Sequence, residues 1–303
     1  MSQLNRRQAL KLFAALGAAG VAGPALAACG SGGSDDSGDR SPVKIGMLVP
    51  QSGAYKTIGD EQTYGFELYV RLNGNKLGGR PVQLVYADEG ESAGSGKAAL
   101  AKLLKQDQVQ VLCGVANSLV MEAIKDDVEA AQTPLLGSNA SPTTLGGVRY
   151  IWRTSYVNDE PGQALGKYVA ERVGRGSVFL AAADYAAGHD IVGGFLKTFK
   201  PAGGKVAGEP MYTPFPDGND FGPVFSRVRA SGASAVFCFY GGTQALEFVK
   251  QYHDAGLKQP IYAPGFLTEG SILKQEGDAA KGILTAMNYS PDLDNQANRR
   301  FVA

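Results

Sequence analysis

Short apolar runs rich in β-branched residues recur along this chain, and longer amphipathic stretches separate them. Runs at 43–49, 82–86, 109–113 and 133–136 predict buried strands, and the stretches at 59–72, 98–105 and 119–131 predict helices. Strands with little polar alternation are strands covered on both faces, which is the environment of a parallel sheet. The βαβα order therefore predicts a three-layer α/β unit. After the apolar segment 150–154 the pattern restarts, with helices at 163–173, 191–199, 221–230 and 243–255 and strands at 178–182, 206–212 and 235–240. Two similar α/β lobes in series follow, residues 42–155 and 156–287, with 150–159 as the first crossing between them. A second crossing falls at 286–291. A helical segment at 295–303 begins a return toward the first lobe.

The N-terminus carries an address. Arg6-Arg7 precede an apolar, Ala- and Gly-rich stretch at 12–21 that ends in Leu26-Ala27-Ala28-Cys29, and no acidic residue occurs before Asp35. The twin arginine in Asn5-Arg6-Arg7-Gln8-Ala9-Leu10-Lys11 resembles the export signal of folded proteins. Leu-Ala-Ala-Cys resembles a bacterial lipobox, which implies cleavage after residue 28 and a lipid on Cys29. A membrane-spanning helix is the competing reading, but 12–28 is short and broken by Gly17, Gly20, Gly23 and Pro24. Residues 29–41 contain too little apolar surface to fold and read as a flexible tether. A lipid anchor, a tether and a soluble body describe a receptor held at the outer face of a cell membrane.

Charge and motif content exclude several classes. Lys+Arg and Asp+Glu balance at 29 each, which gives no basic field for nucleic acid and no acidic tract for a cationic partner. Cys113 and Cys238 lie inside apolar runs and read as buried, unpaired thiols. The two histidines, His189 and His253, have no second ligand type at metal spacing, so neither a metal nor an organic cofactor is expected. The stretch Glu91-Ser92-Ala93-Gly94-Ser95-Gly96-Lys97-Ala98 is close to a phosphate-binding loop. It has Glu in place of the first Gly and Ala in place of the metal-binding hydroxyl, and reads as the start of a helix. No nucleophile elbow and no paired catalytic carboxylates with a base occur, so an enzyme is not expected.

Loops at the carboxyl ends of strands are where open α/β sheets bind ligands. After the first strand comes Pro50-Gln51-Ser52-Gly53-Ala54-Tyr55, after the third Gly114-Val115-Ala116-Asn117-Ser118, and after the fourth Gly137-Ser138-Asn139-Ala140-Ser141-Pro142. All are small and polar, so their backbone N–H groups can approach a ligand. Asn117 or Ser118 caps the following helix, whose N-terminus favours a carboxylate.

At this point the sequence resembles the type I periplasmic solute-binding proteins of ABC importers, particularly the branched-chain amino acid branch. The resemblance runs from Val43 to the C-terminus. It is carried by Lys44-Ile45-Gly46, Ser52-Gly53, Gly114-Val115-Ala116-Asn117-Ser118, Ser141-Pro142, Trp152-Arg153-Thr154, Asp184-Tyr185 with Gly188, Tyr240-Gly241-Gly242 and Gly277-Asp278-Ala279-Ala280-Lys281-Gly282. It implies two Rossmann-like three-layer lobes joined by a hinge that close on a small molecule and present it to permease and ATPase subunits. It also implies that the ligand carboxylate is gripped at Asn117 or Ser118, with further groups from Ser138, Asn139 and Ala140. Tyr185 would close over the ligand, Tyr240 to Thr243 would form the other wall, and Ser52 and Tyr55 would be weaker contacts, with Tyr55 and Trp152 also readable as core or rim. A third crossing is usual in such proteins, so the resemblance makes this chain a member shortened at its C-terminus.

The departures bear on the ligand. Branched-chain amino acid binders hold the α-ammonium with two carboxylates, at positions that here are Asn158 and Gly265, with Asp159 and Glu269 nearby. A buried ammonium without a counter-charge costs several kcal/mol. The expected ligand is a small carboxylate with an apolar or aromatic body, with a hydrophobic amino acid as the second reading. A ligand-sensing receptor or regulator using the same two-lobed body is the alternative to transport.

Overall fold

The computed structural model describes residues 41–303. The export signal, Cys29 and most of the tether lie outside the described residues. The first sheet is built from β1 (Val43–Val49), β2 (Lys76–Leu77), β3 (Arg80–Asp88), β4 (Val111–Gly114), β5 (Leu135–Gly137) and β6 (Ile151–Arg153), in the order β2-β3-β1-β4-β5-β6. All its pairings are parallel except the β2–β3 hairpin. Helices α1 (Lys56–Leu72), α2 (Ala93–Ala101) and α3 (Ser118–Ala131) connect them.

The second sheet contains β7 (Ser177–Ala183), β8 (Lys205–Val206), β9 (Met211–Thr213), β10 (Ala235–Phe239), β11 (Ile261–Pro264) and β12 (Leu284–Ala286). Its order is β12-β11-β10-β7-β8, with β9 also pairing with β7, and every pairing is parallel. Its helices are α4 (Asp159–Val173), α5 (Ala186–Phe199), α6 (Gly222–Ser231), α7 (Gly242–Asp254) and the short α8 (Ser271–Glu276). The fold is the two-lobed α/β architecture expected from the element order.

Strand β1 shows why its residues are almost uniformly apolar. Ile45, Met47 and Val49 join one cluster with Cys113, while Leu48 joins another with Leu100, Leu112, Val120 and Ile124. Alternate side chains point to opposite faces, and both faces are covered. The second lobe has a denser, aromatic core in which Phe195 stacks on Phe237 and Phe199, with ring centroids 3.9 and 4.6 Å apart. Helices α4 and α5 lie close enough that a Cβ on Gly162 or Gly166 would collide with α5 backbone at Ile191, Phe195 or Phe199. These glycines are a packing requirement, which a helical pattern alone does not signal.

The structure corrects several boundaries. The strand expected at 206–212 is two short strands separated by a turn through Gly208 at φ +93°. The helices expected at 98–105, 163–173 and 191–199 begin at Ala93, Asp159 and Ala186, because small or capping residues, not apolar ones, start each helix. Ser92 caps α2 through a reciprocal pair with Ser95, and α2 runs on into a π-turn at Lys102–Gln106. Asp159, placed in the crossing from sequence, is the first residue of α4. The last segment, α9 (Gln296–Val302), is capped by Asn295, and Asn298 donates to the carbonyls of Pro291 and Leu293.

Candidate functional site

Both sheets reverse their winding direction once, the first between β1 and β4 and the second between β7 and β10. Loops leaving the carboxyl ends of those four strands meet. They contribute Tyr55, Ala116 and Ser118 from the first lobe and Tyr185, Ala187, Phe239 and Gly241 from the second to the walls of one small cavity. The crossing between the lobes adds Tyr156 and Asn158, and Asn139, Ile58, Ile191 and Phe266 complete the lining. A switch point in each sheet thus faces the other, so that a ligand here touches both lobes.

The β4–α3 loop is shaped by an unusual backbone. Gly114 has φ +112° and Val115 φ +62°, the latter a conformation that a β-branched residue rarely adopts. This turn sends the amides of Ala116 and Asn117 down onto Glu89, which is fully buried. Ala116 N–H lies 3.0 Å from Glu89 Oε2, and Asn117 N–H lies 2.9 Å from Oε1. Burial pushes the Glu89 carboxyl well above the ordinary range, against the pull of those amides. Asn117 caps α3 through Oδ1, which accepts from Leu119 N–H at 2.9 Å, and Ser118 begins the helix at the cavity wall.

The cavity is largely aromatic. The hydroxyls of Tyr55 and Tyr185 are hydrogen-bonded to each other across the two lobes, and Tyr185 stacks on Phe215 with centroids 4.4 Å apart. Tyr156 lies beside Phe266 and donates its hydroxyl to Asn139 Oδ1 at 2.9 Å. Burial raises the phenols of Tyr55, Tyr156 and Tyr185, so all three are neutral hydrogen-bonding groups. Asn158 is buried; its Oδ1 accepts from Ser141 N–H at 3.2 Å and its Nδ2 donates to Ser118 Oγ at 3.0 Å. The cavity volume is about 20 Å³, and an adjoining cavity of about 140 Å³ shares Ile58, Asn139 and Phe266 and adds Thr57, Glu61 and Glu269.

Of the residues singled out from sequence, the structure brings together Tyr55, Ser118, Asn139, Asn158 and Tyr185. Asn117 is held beneath Ser118 by capping, and Ala140 is buried behind the wall with its N–H on Val115 O. Ser52 is exposed and donates to Asp88 Oδ2 at 2.6 Å, and Ser138 is exposed and accepts from Gln62, so neither lines the cavity. Tyr240 points into the second-lobe core against Phe221 and Phe248; strand alternation turns Phe239 to the cleft instead. Trp152 is 54% exposed on the edge strand β6 and belongs to no core. Gly265 is buried, and a Cβ there would strike the Glu269 carboxylate; Asp159 is bonded to Gln163 on its own helix. Sequence reasoning missed Tyr156, Phe239 and Phe266, whose only signal was an aromatic residue near a strand end, and Glu89, whose signal was an acid following the last apolar positions of β3.

None of the residues lining this cavity is charged. Its hydroxyls, amides and the N-terminus of α3 can orient a polar head, and its rings can cover an apolar body. Among the described residues, no group of three or more His, Cys, Asp or Glu is placed to hold a metal ion. Residues 42–303 match the periplasmic binding protein family. Leu/Ile/Val-binding protein homolog 6 of Brucella melitensis is 32% identical over 266 residues, covering 86% of this chain and 67% of its own length. The solute-binding protein of an ABC transporter from R. palustris, solved in complex with benzoate, superposes with a TM-score of 0.82 at 32% identity, covering 86% of this chain and 72% of its own. A second such protein from R. palustris, in complex with 4-hydroxybenzoate, gives 0.80 at 31% identity with the same coverage. Such solute-binding proteins are not enzymes.

Proposed function

Because this chain belongs to the periplasmic binding protein family, as an ABC-transporter substrate-binding protein of the Leu/Ile/Val type, we propose that it captures a small carboxylate with an aromatic or apolar body and delivers it to a permease. The observation that carries this reading is a cleft between two switch points lined by five aromatic rings and no charged side chain. No side chain of this lining offers an α-ammonium a counter-charge, the lack of which costs several kcal/mol; the acids Glu61 and Glu269 belong to the adjoining cavity. A carboxylate fares better, because Ser118 and the α3 N-terminus supply donors and a favourable dipole. The benzoate and 4-hydroxybenzoate held by the two R. palustris proteins support the same chemistry.

The ligand carboxylate lies at Ser118, with Asn139 and Asn158 beside it, and Tyr55, Tyr156, Tyr185 and Phe266 enclose the ring. Gly265 itself carries no acid, and the Glu269 carboxylate lies against it in the adjoining cavity. Lobes of residues 42–155 and 156–287 turn about the crossing that holds Asn158. With space for about one water between the walls, a ligand is admitted only when the lobes part, and closure is favoured because both then contact it. Export through the twin-arginine signal and lipidation at Cys29 would hold the receptor beside its permease.

Calorimetric titration with benzoate, 4-hydroxybenzoate, leucine and valine tests the reading. Micromolar or tighter binding of an aromatic acid with no response to leucine is expected; tight leucine binding with no response to either aromatic acid refutes it.

A further inference from the structure

Asp190 lies on α5, one turn along from the cleft residue Ala187 and next to the cleft residue Ile191, yet it does not line the cavity. Its carboxylate instead reaches the 141–143 loop that follows β5 of the other sheet. Thr143 donates twice to it, N–H to Oδ2 at 3.0 Å and Oγ1–H to Oδ1 at 2.7 Å. Asn158 Nδ2 reaches the same Oδ2 at 3.3 Å while also donating to Ser118 Oγ at 3.0 Å. Asn158 is tied to the 141–143 loop a second time, since its Oδ1 accepts from Ser141 N–H and its own N–H donates to Ser141 O at 2.9 Å.

We propose that Asp190 is a closure latch, a positioning residue on the second lobe that clasps Thr143 of the first and, through Asn158, fixes the cleft-facing Ser118. Three elements that must move relative to one another during opening converge on one carboxylate. Thr143 belongs to the first lobe, Asn158 to the crossing, and Asp190 to the second lobe. A carboxylate accepts all three donors at once, as no neutral side chain does. Asn158 also decides how Ser118 presents itself. By donating to Ser118 Oγ it occupies a lone pair and leaves the hydroxyl hydrogen as the group available to a ligand oxygen. Closure and the orientation of the ligand-binding hydroxyl are therefore one hydrogen-bonded unit. These bonds exist only when the lobes are together, so their loss is felt in the release of ligand more than in its capture.

The inference rests on the cleft being the ligand site, and the experiment separates the two. In the full chain, Asp190→Asn keeps the shape but turns a donor toward donors. Thr143→Val removes the hydroxyl, and Glu61→Gln disturbs a different interlobe contact, in which Glu61 Oε1 accepts from Ser271 N–H at 2.9 Å. Stopped-flow fluorescence with benzoate and 4-hydroxybenzoate is expected to show dissociation faster by ~10-fold or more in Asp190→Asn, with association nearly unchanged. Thr143→Val should add little to Asp190→Asn, whereas Glu61→Gln should add its full effect. Unchanged dissociation, an effect confined to association, or full additivity of Asp190→Asn with Thr143→Val overturns the latch. If the wild-type protein binds neither acid, the ligand reading has failed, and solution scattering of the ligand-free proteins decides the latch by itself. Asp190→Asn is then expected to be more open than wild type and Asp190→Glu to lie between, and equal scattering curves for Asp190→Asn and wild type overturn it.

Discussion

Removing the Glu89 carboxyl should loosen the loop that carries the ligand-binding end of α3. Glu89 is 0% exposed and is the acceptor for the amides of Ala116 and Asn117. In Glu89→Ala both amides are left buried without a partner, because the turn at Gly114 and Val115 fixes their direction. At about 1–3 kcal/mol for each unsatisfied group, the expected loss is about 2–6 kcal/mol. Glu89→Gln retains one carbonyl within reach of both amides and should lose less than half of that. The pH dependence has a definite sign. Burial raises this carboxyl well above its ordinary 4.5, so its contribution is fully present below that value. It is eroded as pH rises, since the folded state must then hold a proton the unfolded chain has released, or bury a charge. Urea unfolding followed by circular dichroism at several pH values measures both effects. A Glu89→Ala variant within about 0.5 kcal/mol of wild type, or a Glu89→Gln variant with the wild-type pH slope, would refute the reasoning.

A second buried acid extends the test. Both oxygens of Glu276 lack a hydrogen-bond partner, and burial pushes its carboxyl up to about 8 despite the pull of Lys250. The stability advantage of Glu276→Gln over wild type should therefore be smallest below about pH 5 and grow as pH rises through about 8, read from thermal melts, and parallel curves would contradict it. Phe195→Ala, which removes a fully buried ring stacked on Phe199 and Phe237, should cost about 3–5 kcal/mol with little change in the urea m-value; a loss below about 1 kcal/mol would show the core can collapse around it.

Much of the architecture was legible because it depends on periodicity. The run at 43–49 is apolar throughout since both faces of β1 are covered, and its boundaries agree with the strand. Starts of helices were misjudged where small residues do the work, as at Ala93 behind Ser92 or at Ala186, because neither residue adds to an apolar stripe. Strands β11 and β12 were missed: β11 is only four residues long and ends in Pro264, and β12 is three residues with Thr285 at its centre. In the cleft, loops at strand ends led to Tyr55, Ser118, Asn139, Asn158 and Tyr185, but not to which neighbour faces inward. Tyr240 and Phe239 differ by one position, and a strand's alternation sends one to the core and the other to the cleft.

What this sequence determined by itself is the alternation of the longer strands and helices through β10 and α7, the two-lobed division and the absence of a catalytic motif, because each follows from local pattern and residue type. Only the tertiary structure decided which polar groups are desolvated and which contacts span the lobes. Glu89, Asn158 and Asp190 are separated in the chain from the partners that define them, Ala116, Ser118 and Thr143, by 27 to 47 residues. Their chemistry depends on burial and on proximity across a crossing, and neither quantity is written in the pattern of a single strand or helix.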